Sequence, residues 1–284
     1  MSGPAFITRF APSPTGYLHR GHAFSALTAF EAARTAQGRF LLRIEDIDGG
    51  RCRPDFEAAI YEDLAWLGIA WEQPVRRQSE HMADYRALLD GLAAGGLTYR
   101  CFRTRREVAE AIESAPHGAM EAFRGEPLPP AEEARRLAAG EPYAWRLSLS
   151  AAERALGGFG DLAFTELGEG PQGEHGTIPA RPELGGDVVL ARKDVGVAYH
   201  LAVVADDARQ GVTEVIRGQD LFEAAHVQRL LQALMDLPTP AYRHHRLLAG
   251  PDGKRYAKRD RAQTLRDLRA SGMTAAQLRG ELGF

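Results

Sequence analysis

The sequence predicts an α/β protein: a parallel sheet with helical crossovers, an inserted α+β subdomain and a short helical C-terminal tail. Three features carry that expectation. Strand-like apolar runs alternate with amphipathic helical stretches over residues 1–98, and such signals return over 187–249. Between them, residues 99–186 hold scattered helical pieces and a Gly/Pro-rich stretch, a composition that suits an insertion with its own small core. Residues 250–284 open on a turn-rich basic loop and end in a run that reads as helical and polar.

In order along the chain, AFITRF (5–10) reads as a short buried strand, after which Pro12 and Pro14 forbid regular structure. Phe24, Leu27 and Phe30 share one stripe of a helix over 22–37, which Gly38 stops. RFLLRIED (39–46) is a second strand ending in two acids. A helix from Pro54 to Gly68 places Phe56, Ile60, Leu64 and Leu67 on one face. Ser79 is the expected cap of the next helix, which carries Met82, Leu88, Leu89 and Leu92. In the insertion, 130–139 is helical and 157–186 reads as a loop. DVVLARKD, VAYHLAVVADDA and VTEVIRG (187–218) carry strand signals, and DLFEAAHVQRLLQALM reads as an amphipathic helix.

The 284 residues, 44% hydrophobic and 26% charged, suit an ordinary globular protein with a substantial core. No apolar run approaches the ~20 residues of a membrane helix, and the N-terminal residues show no signal-peptide pattern, so the expected compartment is the cytoplasm. Cys52 and Cys101, the two cysteines, are expected as free thiols. The net charge of −3 excludes a generally basic coat for nucleic acid. Even so, YRCFRTRRE (99–107), YRHHRL (242–247) and GKRYAKRDRAQTLRDLR (253–269) are locally basic, which suits either solvated faces or a polyanion partner.

The chemistry concentrates in RFAPSPTGYLHRGH (9–22). A strand end, a proline-constrained turn and a helix start make a concave site whose backbone N–H groups favour anions. His19 and His22 can donate to phosphate oxygens, and Gly21 leaves room for a flat base or a close backbone. By itself the pattern also fits a surface turn. A second basic, turn-rich loop, GPDGKRYAKRD (250–260), lies about 230 residues downstream, where a lysine can reach a triphosphate as a mobile point charge.

Together these segments resemble the class I aminoacyl-tRNA synthetases of the glutamyl type. FAPSPTGYLHRGH is similar to the family's first signature, RIEDID to its strand-two acid motif, and YHLAVVADD with GVTEVIRG to its late catalytic segments. RYAKR stands in the place of the KMSKS signature. The chain stops about 25 residues after that loop, without the long anticodon-binding region of the full-length enzymes, and has Val203 where those enzymes usually have Asn. It thus resembles the short paralogues that attach glutamate to queuosine at the wobble position of tRNA(Asp).

The resemblance implies a Rossmann-like catalytic domain (1–98 and 187–249), an inserted acceptor-like subdomain (99–186) and a KMSKS-like loop with a helical tail (250–284). It implies activation of L-glutamate with ATP and substrate-bound Mg²⁺, then transfer to the queuosine-bearing anticodon stem-loop of tRNA(Asp), by a chain taken as monomeric. Glutamate brings two carboxylates and an ammonium, whose minimal complement is two arginines and an acid. Arg9 and Arg217 match the substrate arginines, Glu45 the ammonium-binding acid, Tyr199 the pocket tyrosine, and Ala11 and Ser13 further contacts. His19, Gly21, His22, Arg255 and Lys258 match the ATP site, with His19, His22 and Lys258 catalytic.

Two positions depart from the pattern: Arg255 and Ala257 replace the first lysine and the serine of KMSKS. A third departure concerns metal. Many short paralogues begin a zinc site with C-x-C here, but Arg103 follows Cys101, so no zinc is expected. A truncated enzyme charging a tRNA 3′ end, or a non-catalytic RNA-binding paralogue, are the other readings.

Overall fold

The computed structural model describes residues 5–113, 122–192, 196–248 and 263–284. Strand β1 (Ile7–Phe10) is buried at every position. Helix α1 (Arg20–Thr35) crosses over to β2 (Arg39–Ile44), which runs parallel to β1 with Ile7 opposite Arg39 and Phe10 opposite Leu42. A Cβ on Gly38 would stand 2.3 Å from the Phe6 carbonyl oxygen, so this return of the chain requires glycine. Helix α2 (Pro54–Trp66), with proline in its first turn where no N–H is needed, leads to the short parallel strand β3 (Arg76–Arg77).

Helix α3 (Met82–Ala94) follows a 3₁₀ turn over Gln78–His81. Contrary to expectation, Ser79 does not cap it: its N–H and hydroxyl donate to the Asp46 carboxylate, at 2.8 and 2.6 Å. Asp46 is buried, and a buried carboxylate claims donors more strongly than an exposed helix end.

The segment expected as an insertion contains β4 (Thr98–Cys101), α4 (Arg105–Glu113), α5 (Pro130–Ala138), β5 (Ala144–Leu147) and α6 (Leu149–Leu156). The segment expected as a loop over 157–186 contains a hairpin instead, β6 (Ala163–Glu166) against β7 (Gly176–Pro179). Its glycines lie outside the two strands except at Gly176, so composition marked the turns and hid the short strands. Next come β8 (Val189–Arg192) and β9 (Gly196–Val197), which pair with β4 and β5 in an antiparallel sheet of order β4-β5-β8-β9.

VAYHLAVVADDA, expected as a strand, is mostly helix: α7 (Tyr199–Arg209). Its valines favour strands, but the helix buries Val203 and Val204 and carries Asp206 and Asp207 to buried arginines, so tertiary pairing overrides local preference. Strand β10 (Glu214–Gly218), helix α8 (Phe222–Leu234) and strand β11 (Ala241–His245) complete this layer. Two tail helices follow, α9 (Leu265–Ala270) and α10 (Ala275–Leu282), each opened by a threonine capping box.

β10 lies beside β1, where the Thr213 N–H donates to the Ile7 carbonyl and the Ile7 N–H to Thr213 Oγ1, both at 2.9 Å. The parallel strands therefore run β3-β2-β1-β10-β11, and β6 joins the β11 edge through Glu166 opposite Tyr242. Strand pairing thus crosses both ends of 99–186: β6 and β7 sit on the parallel sheet, and β8 and β9 on the inserted one.

Side chains alternate across the parallel sheet. Ile7, Leu41 and Val215 pack with α3, α7 and α8, while Phe10, Leu42, Ile44 and Ile216 pack with α1, α2 and the tail helices. The tail, read as polar, buries Leu265, Leu268, Leu278 and Leu282. Among the described residues no helix is long and apolar enough to cross a membrane.

Candidate active site

A cavity of about 570 Å³ opens at the carboxyl ends of β1, β2, β10 and β11. The strand order turns outward in opposite directions from β1 and β10, and such a switch point leaves a crevice beyond the strand ends. Arg9, Ala11, Ser13, His19, Gly21 and His22 from the first signature line this cavity; Glu45, Tyr199 and Arg217 reach it from β2, α7 and β10. Arg255 and Lys258 lie outside the described residues. The segments flanking them are placed: Leu248 lines the cavity, and Thr264 bridges to His19.

On the β1–β2 side, charge is organised around α7. Arg9 grips Asp207 with Nε to Oδ1 at 2.9 Å and NH2 to Oδ2 at 3.3 Å. Arg43, fully buried, shares Asp207 at 2.8 Å and reaches Glu45 Oε1 at 3.0 Å. Asp206 is held by Arg76 at 2.7 Å and by Gln78 and Tyr85 at 2.9 Å. Burial would raise the Asp207 carboxyl, but the Arg9 and Arg43 guanidiniums overcome it and hold the group below the usual carboxylate range. At Glu45 burial prevails: its pKa is raised, and Arg43 and Arg9 offset that only in part.

Across the cavity, Arg217 is held differently. Its Nε donates to His244 Nε2 at 3.0 Å, NH1 to Gln228 Oε1 at 2.8 Å and NH2 to the Leu221 carbonyl at 3.0 Å. The Tyr242 ring lies 5.1 Å beneath the guanidinium. Among the described residues no carboxylate forms an ion pair with Arg217, so oriented dipoles hold its charge.

The two signature histidines build the helix start. His19 Nδ1 accepts the Gly21 N–H at 3.1 Å, and His22 Nδ1 accepts the His19 N–H at 3.2 Å. With both Nδ1 atoms accepting, the neutral rings carry their protons on Nε2, the tautomer able to donate to an anion. The rings lie 3.8 Å apart between centroids. A Cβ on Gly21 would approach the His19 ring to 3.0 Å, so glycine here makes room for the capping imidazole itself.

Sequence reasoning missed Asp207, Arg43, His244, Glu166 and Gln228. The paired acids of VADD and the second arginine of RFLLRI, Arg43, were available signals, since a charge in an apolar strand demands a partner. YRHHRL, read as a locally basic run, is β11 and its exit: His244 is buried, Arg243 pairs with Glu214, and His245 and Arg246 line the cavity. Cys101 packs with Tyr99 and Phe123 in a small core of the insertion, and Arg103 lies over the Phe123 ring. Among the described residues no group of three or more His, Cys, Asp or Glu could hold a metal ion.

Comparison with known proteins defines the class. The model of the class I tRNA synthetases (E and Q), catalytic domain, matches residues 5–279, and the chain belongs to that family. Within it the chain falls among the glutamyl-Q tRNA(Asp) synthetases. It is 47% identical to that protein of Rhodobacter capsulatus, over 98% of this chain and 100% of the relative. To that of Symbiobacterium thermophilum it is 42% identical, over 97% of this chain and 85% of the relative. The glutamate–tRNA ligase of Parasynechococcus marenigrum is 35% identical, but 94% of this chain spans only 55% of it. Among solved structures, a glutamate tRNA ligase from Elizabethkingia meningosepticum in complex with its amino acid superposes with a TM-score of 0.73 at 28% identity. That match covers 90% of this chain and 52% of the other, so the chain spans about half the length of the solved relative.

Proposed function

We propose that the chain is an ATP-dependent ligase that activates L-glutamate as glutamyl-adenylate and transfers the glutamate to queuosine at the wobble position of tRNA(Asp). The observation that carries this reading is the composition of a single cavity: a guanidinium held by dipoles, a buried carboxylate with a raised pKa, and two histidines in the donor tautomer. These suit, in turn, a substrate carboxylate, an ammonium and a polyphosphate. Arg217 and Arg9 would read carboxylates, with Glu45 on the ammonium and Tyr199, Ala11 and Ser13 completing the pocket.

A carboxylate oxygen of glutamate attacks the α-phosphorus of ATP, and pyrophosphate leaves. His19 and His22 would stabilise charge on the phosphates, with Gly21 leaving room for the capping imidazole, and Lys258 and Arg255, which lie outside the described residues, are assigned to the same phosphates by their place in the KMSKS-like signature. Mg²⁺ bound with the nucleotide would share the phosphate charge.

For the RNA, a groove of about 740 Å³ on the inserted sheet is lined by Arg103, Arg105, Arg146 and Arg192 with Phe102 and Tyr143. A smaller cavity containing Ser13, Glu45, Tyr199 and Arg192 touches both this groove and the main cavity. Guanidiniums and flat rings suit an anticodon loop with splayed bases. The domain division 1–98 with 187–249, 99–186 and 250–284, a cytoplasmic monomer and the absence of bound zinc belong to the same proposal.

Pyrophosphate exchange with glutamate and ATP alone is expected, followed by charging of queuosine-containing tRNA(Asp) and not of queuosine-free tRNA. Exchange that requires tRNA, or charging of a 3′ end, would favour a glutamate–tRNA ligase; no exchange would favour a binding paralogue. Elemental analysis of tag-free protein should find far less than one zinc per chain.

A further inference from the structure

We propose that His244, clamped by Glu166, is a positioning residue for carboxylate recognition: it accepts the Arg217 Nε–H and keeps the outer edge of that guanidinium turned to the cavity. This rests on the reading that the cavity takes glutamate.

The geometry assigns the protons. Arg217 Nε can only donate, so His244 Nε2 must accept, and the imidazole proton sits on Nδ1. Nδ1 faces Glu166 Oε2 at 2.5 Å. Glu166 Oε1 accepts the backbone N–H groups of His244 and Gly168, both at 2.8 Å. Neither the His244 nor the Glu166 side chain reaches solvent. The Tyr242 ring stacks parallel to the imidazole, and Phe222 meets it edge-on.

Three of the five Arg217 N–H groups go to His244, Gln228 and Leu221, all uncharged acceptors. One N–H on each terminal nitrogen remains among the described contacts, and a guanidinium can offer such a pair to a carboxylate. A carboxylate in place of His244 would fix Arg217 equally well but cancel the charge that the ligand must find. A neutral imidazole fixes it without doing so.

The titratable groups around His244 are Glu166 on β6, Arg217 on β10, and Tyr242 and His245 on β11, and α8 sets the Phe222 ring against it. Burial lowers the imidazole pKa, Glu166 opposes that, and Arg217 adds to the fall. Protonation at Nε2 would set a donor and a second positive charge against Arg217 Nε and release it.

The test compares wild type, His244→Leu and His244→Gln, each checked for folding by circular dichroism. Calorimetry measures glutamate binding without ATP, and exchange kinetics measure KM for each substrate. His244→Leu should weaken glutamate binding and raise its KM about tenfold or more, with KM for ATP within about twofold. His244→Gln, which places an amide oxygen near the Nε2 position, should recover to within about threefold of wild type. From about pH 8 down to about pH 5.5, wild-type KM for glutamate should rise on the acid side, and His244→Gln should lack that component.

Unchanged glutamate binding in folded His244→Leu, equal losses for both substrates, or a Gln variant as weak as Leu would overturn the proposal. If the Leu variant does not fold, the pH profiles of wild type and His244→Gln decide it in the same way. Wild-type protein that binds no glutamate overturns the reading of the cavity itself, a result distinct from any of these.

Discussion

Arg9 and Arg217 face one cavity from adjacent parallel strands, and both are almost fully buried, yet their charges are balanced in different ways. Arg9 is locked to Asp207, which also serves Arg43. Arg217 rests on an imidazole, an amide and a carbonyl. The first arrangement makes a charge part of the architecture, since a buried ion pair is costly to break from either side. The second keeps net positive charge at the cavity wall, where an incoming carboxylate can use it. Two arginines that look equivalent as motif positions are thus held differently: Arg9 on β1 shares the α7 carboxylate Asp207 with Arg43 on β2, and Arg217 rests on neutral acceptors.

The largest effect should come from breaking the first arrangement. Asp207→Asn leaves Arg9 and Arg43 without their shared carboxylate, at a cost of about 3–5 kcal/mol. The Tm should fall on the order of 10 °C in a thermal melt. An unchanged melting temperature would remove the structural role assigned to this cluster.

Arg217→Ala should show the opposite profile. Glutamate use should fall by roughly two orders of magnitude or more, since each ~1.4 kcal/mol is tenfold. ATP binding should change little, and Arg217→Lys should rescue only in part, lacking the bidentate fork. Exchange kinetics with each substrate varied separately, beside a thermal melt, make the measurement. Equal losses for glutamate and ATP, or a melt as depressed as that of Asp207→Asn, would make Arg217 a structural residue too.

The smallest effect concerns acid stability. Burial lowers the folded pKa of His200 to about 4 and also lowers those of His226, His244 and His245. As pH falls below the ~6.5 of an unfolded histidine, the unfolded chain takes up protons first. Stability should therefore hold above that pH and decline below it, toward the folded values. Asp207 adds nothing in this window: its depressed pKa gives stability that persists down to about 3.9 and is lost only below that. Chemical denaturation between about pH 7 and pH 5 should show the decline, and His200→Gln should make it shallower. Asp63, which burial raises to about 6, opposes this decline in the same window, so the test is the difference between wild type and His200→Gln: equal slopes would mean that His200 protonates in the folded chain as easily as outside it.

Much of the site was legible because it is nearly contiguous. Arg9 to His22 supplies seven of the cavity residues from one strand, one turn and one helix start, and local chemistry names their task. Strands β1, β2 and β10 and helices α1, α2 and α8 were legible from apolar periodicity. The failures share a cause. VAYHLAVVADDA has strand-like valines, and only the arginines waiting on β1 and β2 make a helix the better solution. The hairpin inside 157–186 is too short to show a period, and is held by pairing with β11. Ser79 was read as a cap because Asp46, its actual partner, lies on a distant segment.

By itself, then, the amino-acid order determined the alternation of elements, the signature turn and the residue types a glutamate- and ATP-binding cavity needs, because these depend on neighbours within a few positions. The balance of charge was decided only in three dimensions. Whether an arginine meets Asp207 or His244 depends on which side chains the sheet and its helices bring within 3 Å across gaps of 198 and 27 residues. Burial then sets the protonation of those partners, and with it which guanidinium remains available to a ligand.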